Sequence, residues 1–243
     1  MSDFRHRAVL ALVVVLAAGA VRLGIWQLSR LSERRATNTV LIAARALPPI
    51  DLADPAIEDS VLAGRQVTAT GRFEESGTIM LRNRAFRDAP GVYLVTPFLI
   101  EGSPHPAWVL RGFVNAADGV RPNRPMPRAA PGVVTITGLA MTNPTTTNGG
   151  QPLGIGSDTT WQRPDAGLLA ERLPGSLPIM VLLVAPDTVL GGLPTVAPPS
   201  LDEGPHLSYA VQWFGIALAI LTFGWLVVRR RDDPGPARPH AAP

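Results

Sequence analysis

Two long apolar runs, one near each end of the chain, constrain the fold more than any other feature. Residues 8–28 contain a single charge, Arg22, and residues 207–228 contain none. At about 1.5 Å of helical rise per residue, each run spans roughly 30 Å, the thickness of the hydrocarbon core of a bilayer. We therefore predict transmembrane helices at 8–28 and 207–228, which would make the chain a two-pass protein of the lipid bilayer.

The first run also has the layout of a cleaved signal peptide. Arg5 and Arg7 precede it, and Ala18–Ala20 resembles a small-residue cleavage site. However, apolar residues continue as far as Leu28, and Trp26 near that end is typical of a membrane interface. These residues favour an uncleaved helix, and both alternatives place the middle of the chain outside the cytoplasm.

Charges beside the second run predict the orientation. Three arginines at 229–231 follow it, and two acidic residues at 202–203 precede it. The positive-inside rule therefore places its C-terminal end in the cytoplasm. Residues 1–7 are then cytoplasmic as well, and 229–243 form a disordered cytoplasmic tail rich in Pro and Ala.

The remaining segment, 29–206, is predicted to be one β-rich extracytoplasmic domain. Residues 31–47 lack Gly and Pro and predict a helical extension of the first span. Later segments alternate apolar and polar residues or form short apolar runs, which predicts six strands: Gln66–Phe73, Thr78–Arg84, Val92–Ile100, Ala107–Asn115, Val133–Met141 and Pro178–Val184. A short helix is predicted at Pro164–Arg172, and a long loop at Thr142–Thr160. The predicted fold class is α+β, with an antiparallel sheet or a small barrel between the two membrane helices.

The residue inventory excludes several kinds of chemistry. The chain has no cysteine, and all 22 of its Lys+Arg residues are arginine. Disulfides, thiolate ligands, lysine Schiff bases and a Walker-A loop are therefore excluded. The four histidines form no HxxxH or HExxH pair, and no GxSxG motif is present. We predict that the protein is not an enzyme, and its net charge of +3 gives no reason to expect nucleic-acid binding.

His206 has the most informative position of the four histidines. It follows Gly204-Pro205 at the predicted outer mouth of the second span and shares a helical stripe with Tyr209 and Trp213. An imidazole flanked by aromatic side chains at a membrane surface is suited to bind a haem iron as an axial ligand. The alternative is that His206 and Tyr209 only anchor the helix, with the small residues below them packing against another helix.

Arg22 is the second unusual residue, because it lies roughly 9 Å inside the outer end of its span. Trp26 shares its helix face. One alternative is an arginine that extends to the lipid headgroups. The other is a cation that binds an anionic group, such as a haem propionate or a carboxylate of a partner protein.

Several short motifs, taken together and in chain order, resemble those of the surfeit locus protein one family. They comprise a G-x-W-Q-L-x-R signature at the end of the first helix, four strand motifs, and an H-x-x-Y-A-x-Q-W entry to the second helix: Leu23–Arg30, Gly71–Phe73, Leu81–Arg84, Gly91–Pro97, Val109–Val114 and His206–Phe214. The chain departs from the family pattern at Phe113, where Trp is usual. It also has arginines where lysines are common after the first helix.

The resemblance implies an assembly factor for haem–copper (aa3-type) cytochrome c oxidase in the plasma membrane of a bacterium. Such proteins are associated with handling haem a or inserting it into the catalytic subunit, and the helix-two histidine, here His206, has been proposed as its ligand. The expected partners are the oxidase subunits, chiefly the catalytic subunit, and the respiratory supercomplex. On this hypothesis Arg22 or Arg30 would face the propionates, while Trp26 and Trp213 would line the macrocycle and Tyr209 would stand beside it.

Two other functions stay open at this point. The protein could be a structural accessory of the oxidase that never contacts haem, a role suited to the small-residue face of Ala210, Ala217 and Gly224. It could also be a two-span sensor whose Thr142–Thr160 loop binds a small ligand. The short cytoplasmic tail leaves no room for an output domain, which disfavours the sensor.

Overall fold

The computed structural model describes residues 2–143, 160–184 and 192–232. Most of the predicted Thr142–Thr160 loop and residues 233–243 of the predicted disordered tail lie outside these residues, whereas residues 229–232 of that tail are helical and not disordered. The chain divides into two compact units. One contains Met1–Thr39 together with Leu201–Pro243, and the other contains Val40–Ser200.

The described residues contain three α-helices: α1 at Ser2–Ala46, α2 at Ala166–Arg172 and α3 at His206–Asp232. Helix α1 continues without a break until just before Pro48-Pro49, where proline cannot extend it. The segments Arg7–Ala46 and His206–Arg229 are both long and apolar enough to cross a membrane. The molecule therefore has a candidate membrane helix near each terminus.

The central unit is built on an eight-stranded sheet in the order β1-β2-β6-β8-β5-β4-β3-β7. The strands are β1 Ile50–Asp51, β2 Gln66–Phe73, β3 Ile79–Phe86, β4 Ala89–Ile100, β5 Ala107–Asn115, β6 Val134–Thr142, β7 Thr160–Trp161 and β8 Ile179–Leu183.

The sheet is mixed, so the prediction of an antiparallel sheet is wrong in part. Strands β1 and β2, β3 and β7, and β5 and β8 pair in parallel. Two of these pairs involve two-residue strands that are too short to show alternation. In the third, β8 is buried along its whole length, and a continuous apolar run does not indicate strand direction.

The second predicted architecture, a small barrel, is also not what the structure shows. Strand β2 does reach β4, but only over three residue pairs, between Gly71–Phe73 and Phe98–Ile100. This contact is too short to make a regular barrel, and the domain is best described as a mixed sheet.

Two hydrophobic clusters cover the sheet. Alternate residues of β8 belong to different clusters: Val181 packs in one, and Met180 and Leu182 in the other. Because successive strand residues point to opposite faces, the clusters lie on opposite sides of the sheet. The second side is covered by α2, where the buried Trp108 Nε1–H donates to the Leu169 carbonyl at 3.2 Å.

The contact between β6 and β8 requires a glycine at position 138. A Cβ atom there would lie 2.6 Å from the Leu182 carbonyl oxygen. We expect Gly138→Ala to lower the free energy of unfolding by about 1–3 kcal/mol, because the strands must separate to admit it. Urea unfolding of the detergent-solubilised chain, followed by tryptophan fluorescence, measures the change. The neighbouring exposed Thr137→Ala serves as the control, with an expected change within about 0.5 kcal/mol, and equal midpoints for the two variants would contradict this packing.

Candidate functional site

Helices α1 and α3 pack against each other along a seam in which alanine and glycine recur on both helices. On both helices the seam positions are spaced alternately three and four residues apart, the spacing of helices that pack side by side. The seam residues are Val13, Ala17, Ala20, Gly24, Gln27 and Leu31 on α1, and His206, Ala210, Trp213, Ala217, Ile220, Gly224 and Val227 on α3.

Glycines on each helix allow this close approach. A Cβ atom on Gly24 would lie 2.6 Å from the Phe214 ring, and one on Gly224 would lie 2.7 Å from Val13. Small residues at a helix interface let the backbones come together and increase van der Waals contact. The small-residue face predicted to contact another helix is therefore occupied by α1 of the same chain.

Polar contacts fix the segment that leads into α3. Arg35 makes a two-pronged ion pair with Glu203, with Nε–Oε1 and Nη2–Oε2 distances of 2.8 Å each. The hydrogen bond from Arg35 holds the pKa of the Glu203 carboxyl below its ordinary value. Nearby, the buried Asn38 Nδ2 donates to the Leu201 carbonyl at 2.7 Å. These bonds set the register in which α3 begins beside α1.

His206 lies at the start of α3, half-buried, and contacts Gln27 of α1. Its Nδ1 is 2.9 Å from Gln27 Oε1. An amide oxygen can only accept, so Nδ1 is the donor in this bond, and in the neutral imidazole Nε2 then carries the lone pair. Among the described residues Nε2 has no hydrogen-bond partner, and it faces Gly204, whose absent Cβ would lie 3.6 Å away.

The other two aromatic residues predicted on this stripe lie on the same side of α3. Trp213 is half-buried in the seam, two turns below His206. Tyr209 lies at the flank of the seam, with 45% of its surface exposed. The structure therefore brings His206 and Trp213 into one contact surface, with Tyr209 at its edge.

Arg22, Trp26 and Arg30 lie on a different face of α1. At 3.6 residues per turn, Trp26 is rotated by about 100° from the seam residue Gln27, and Arg22 by roughly 160° from Gly24. Trp26 is 48% exposed, and the Arg30 guanidinium carbon lies 5.6 Å from its ring centroid. The structure does not bring these residues to His206.

The remaining polar contacts of this face are local. Arg30 pairs with Glu33 one turn along the helix, at 2.7 Å. Arg22 is exposed and makes no hydrogen bond or ion pair within the described ranges. The face thus presents one arginine that the described protein residues leave unpaired.

Gln27 is the site residue that the sequence interpretation missed. It stands inside the motif that closes the first helix, yet a wheel drawn for one helix cannot show which residue of another helix will face it. The signal was its seam spacing from Gly24 and Leu31, which places a polar side chain in an otherwise apolar stripe.

The two long apolar helices near the termini form one unit, and the mixed-sheet domain lies between them in sequence. These features define the class of protein: a sheet domain flanked in sequence by two candidate membrane helices. The sequence model of the SURF1 family matches residues 14–218. The chain belongs to the SURF1 family, which confirms the resemblance drawn from its motifs. The family is known generally for cytochrome c oxidase assembly factors.

Named relatives extend across most of the chain. An uncharacterized SURF1-like protein of Mycobacterium tuberculosis is 28% identical over 232 residues, which cover 88% of this chain and 82% of the relative. A SURF1-like protein of Rickettsia felis is 27% identical over 227 residues, covering 86% of this chain and 92% of the relative. Surfeit locus protein 1 of Xenopus tropicalis is 24% identical over 229 residues, covering 88% and 73%.

The packing of α1 on α3 can be tested by cross-linking, because the chain has no cysteine of its own. A Cβ on Gly224 would lie 3.4 Å from the Val13 Cβ, close to the separation in a disulfide. We expect Val13→Cys combined with Gly224→Cys to form an intramolecular disulfide under mild oxidation, seen as a mobility shift in non-reducing gels. Val14→Cys with Gly224→Cys is the control, because Val14 is 60% exposed, and equal cross-linking of both pairs would rule out the seam.

The Arg35–Glu203 pair predicts a pH dependence. Because the pKa of Glu203 is lowered in the folded chain, the pair stabilises the fold at neutral pH, and this contribution is lost as the pH falls through that lowered pKa. Glu203→Gln should therefore lower the melting temperature at pH 7 by a small amount, and this difference should shrink as the pH falls below about 4 and acid protonates the Glu203 carboxyl. Thermal melts of both proteins across this range measure the difference, and a difference that persists at low pH would contradict the assignment.

Proposed function

We propose that this protein is an assembly factor for aa3-type cytochrome c oxidase and that it holds haem a for the catalytic subunit. Membership of the SURF1 family supports the oxidase assignment. The observation that supports haem handling is the hydrogen bond between His206 Nδ1 and Gln27, which leaves Nε2 free as a ligand.

The donor chemistry of His206 fits a ligand of haem iron. Histidines that bind metals usually donate their other ring N–H to an oxygen, which fixes the tautomer and the orientation of the ring. Gln27 supplies that oxygen here. Haem, when bound, supplies an iron that accepts an imidazole nitrogen, and His206 would hold it through Nε2. Trp213 and Tyr209 would offer aromatic surface to the macrocycle.

The face of α1 formed by Arg22, Trp26 and Arg30 is suited to bind an anionic group. It is turned away from the α1–α3 seam, and its two arginines lie about one helical turn on either side of Trp26. Because Arg22 lies within an apolar span, pairing with an anion would stabilise it there. We assign this face to an anionic group. A carboxylate of the oxidase fits its separation from His206 better than a propionate of a haem held there.

The proposed topology follows from the charges beside the helices. Residues 8–28 and 207–228 would cross the plasma membrane of a bacterium, with both termini in the cytoplasm and residues 29–206 outside it. His206 would then stand at the outer surface of the membrane.

A structural accessory role is the second candidate. Both long helices expose apolar side chains outside the seam, among them Leu218 and Phe223, which are 67% and 69% exposed. Lipid or oxidase helices would cover them. A protein that only stabilises an oxidase intermediate would need such faces and no ligand at His206.

Removal of the ligand tests the haem assignment. We expect tagged wild-type protein from native membranes to contain haem a in excess of co-purifying oxidase, and His206→Ala to lose this excess. Gln27→Leu should reduce haem affinity by about 10- to 100-fold, because the ring loses the group that orients it. Pigment extraction and optical spectra measure the haem.

His105→Ala is the matched control. His105 is an exposed histidine whose Nδ1 lies 2.9 Å from the Gly175 carbonyl oxygen, so its loss removes an imidazole without touching the seam. Haem content should remain at the wild-type level in this variant. If His206→Ala keeps its haem, the ligand assignment is wrong. If wild-type protein retains oxidase but no excess haem, the accessory role is favoured.

A further inference from the structure

Arg111 is a buried cation whose capacity for hydrogen bonding is mostly unused. It lies in β5, and only 2% of its side chain is exposed. Its Nη2 donates to the Pro127 carbonyl at 3.0 Å. Its Nε is buried and has no hydrogen-bond partner in the part of the chain that the structure describes.

The nearest acidic group compensates this charge only in part. Glu75 Oε1 lies 3.7 Å from Arg111 Nη1, beyond hydrogen-bond length. The same oxygen accepts a hydrogen bond from the Ala129 backbone N–H instead. The guanidinium also contacts an aromatic ring, because its carbon lies 5.6 Å from the Phe73 ring centroid. Burial lowers the pKa of Arg111, and arginine stays charged in proteins, so the cost of desolvation persists.

A cavity of about 310 Å³ adjoins the guanidinium. We call it the Arg111 cavity, and its lining combines polar and apolar side chains: Glu75, Thr78, Leu94, Arg111, Pro125, Met126, Pro127 and Arg128. At about 30 Å³ per water molecule, it has room for roughly ten non-hydrogen atoms. The lining of the cavity therefore carries two positive charges, Arg111 and Arg128, and one negative charge, Glu75. The cavity also has space for a small ligand.

We propose that the Arg111 cavity binds a carboxylate group, with the unused guanidinium N–H groups as donors. The planar fork of arginine matches the two oxygens of a carboxylate. A carboxylate continues into a carbon chain, for which Leu94 and Met126 provide apolar walls. The inference does not depend on the oxidase assignment, since it rests only on contacts within the β domain. A free short carboxylic acid and an acidic side chain of a partner protein share this chemistry.

Propionate and its neutral amide provide the direct test. The melting temperature of the full chain in detergent is measured against increasing sodium propionate, with propionamide and sodium chloride as parallel series. A ligand that binds only the folded state raises the melting temperature in a saturable way. We expect this for propionate alone, and equal responses to propionate and propionamide would overturn the proposal.

Two variants separate a binding site from a purely structural ion pair. Glu75→Gln removes the competing carboxylate, so we expect propionate to bind about three- to tenfold more tightly. Arg111→Lys keeps the charge but loses the fork, and the propionate response should disappear. Arg124→Gln, from the same proline-rich loop but outside the cavity lining, is the control and should respond like wild type. A Glu75→Gln protein with an unchanged propionate response would contradict the site, even if Arg111→Lys fails to fold.

A pair of peptides identifies the source of the carboxylate. Acetyl-Leu-Glu-Leu-amide and its glutamine analogue differ only in the charged group. If the site accepts a partner segment, the glutamate peptide will stabilise the chain more than propionate does at equal concentration, and the glutamine peptide will not. Stronger stabilisation by propionate will assign the site to a free acid.

Discussion

The packing of α1 against α3 is the contact on which the candidate site depends. Gly24 and Gly224 let the two helices approach so closely that a side chain at either position would overlap its neighbour. In the proposed membrane setting, burial of apolar surface gives no net force between helices, so close packing and polar bonds must hold the pair. The Arg35–Glu203 and Asn38–Leu201 bonds supply the polar part just beyond the seam. Because of that register, Gln27 meets His206.

The hydrogen bond to Gln27 gives His206 a chemical state that its position alone would not. A histidine at a helix start can serve as an anchor, a base or a ligand, depending on which nitrogen bears the proton. With Nδ1 as the donor, Nε2 becomes the free nucleophilic atom, and Gly204 beside it adds no side chain. Helix packing, tautomer and proposed ligand role thus form one chain of causes. The resemblance groups His206 with Arg22 and Trp26, whereas the structure places these two residues of α1 on a different helix face from Gln27, the residue that contacts His206.

Sequence patterns predict most of the strands and one half of the helix seam. They fail for features that depend on contacts between segments distant in the chain. The sequence predicts the six strands β2, β3, β4, β5, β6 and β8 close to their observed positions, because strands either alternate apolar and polar residues or form short apolar runs. The direction of β8 is not predictable from its own residues, because a run buried on both faces has no alternation that could indicate its place in the sheet. The connection that precedes β8 decides whether it pairs parallel or antiparallel with its neighbours. The stripe from His206 to Gly224 can be identified from the sequence of one helix. The residues of α1 that face it, including Gln27, can be identified only from the three-dimensional structure. Arg111 was visible only as one letter of a strand motif, since nothing local indicates that its guanidinium borders a cavity.

The most direct test of the central claim is pulsed electron paramagnetic resonance of the purified chain, labelled with ¹⁵N-histidine and loaded with ferric haem a. We expect hyperfine coupling between the iron and an imidazole nitrogen in the wild-type protein. This coupling should be absent in His206→Ala and unchanged in His105→Ala. An identical spectrum for wild type and His206→Ala would contradict the account, because the iron would then be bound elsewhere or not by histidine.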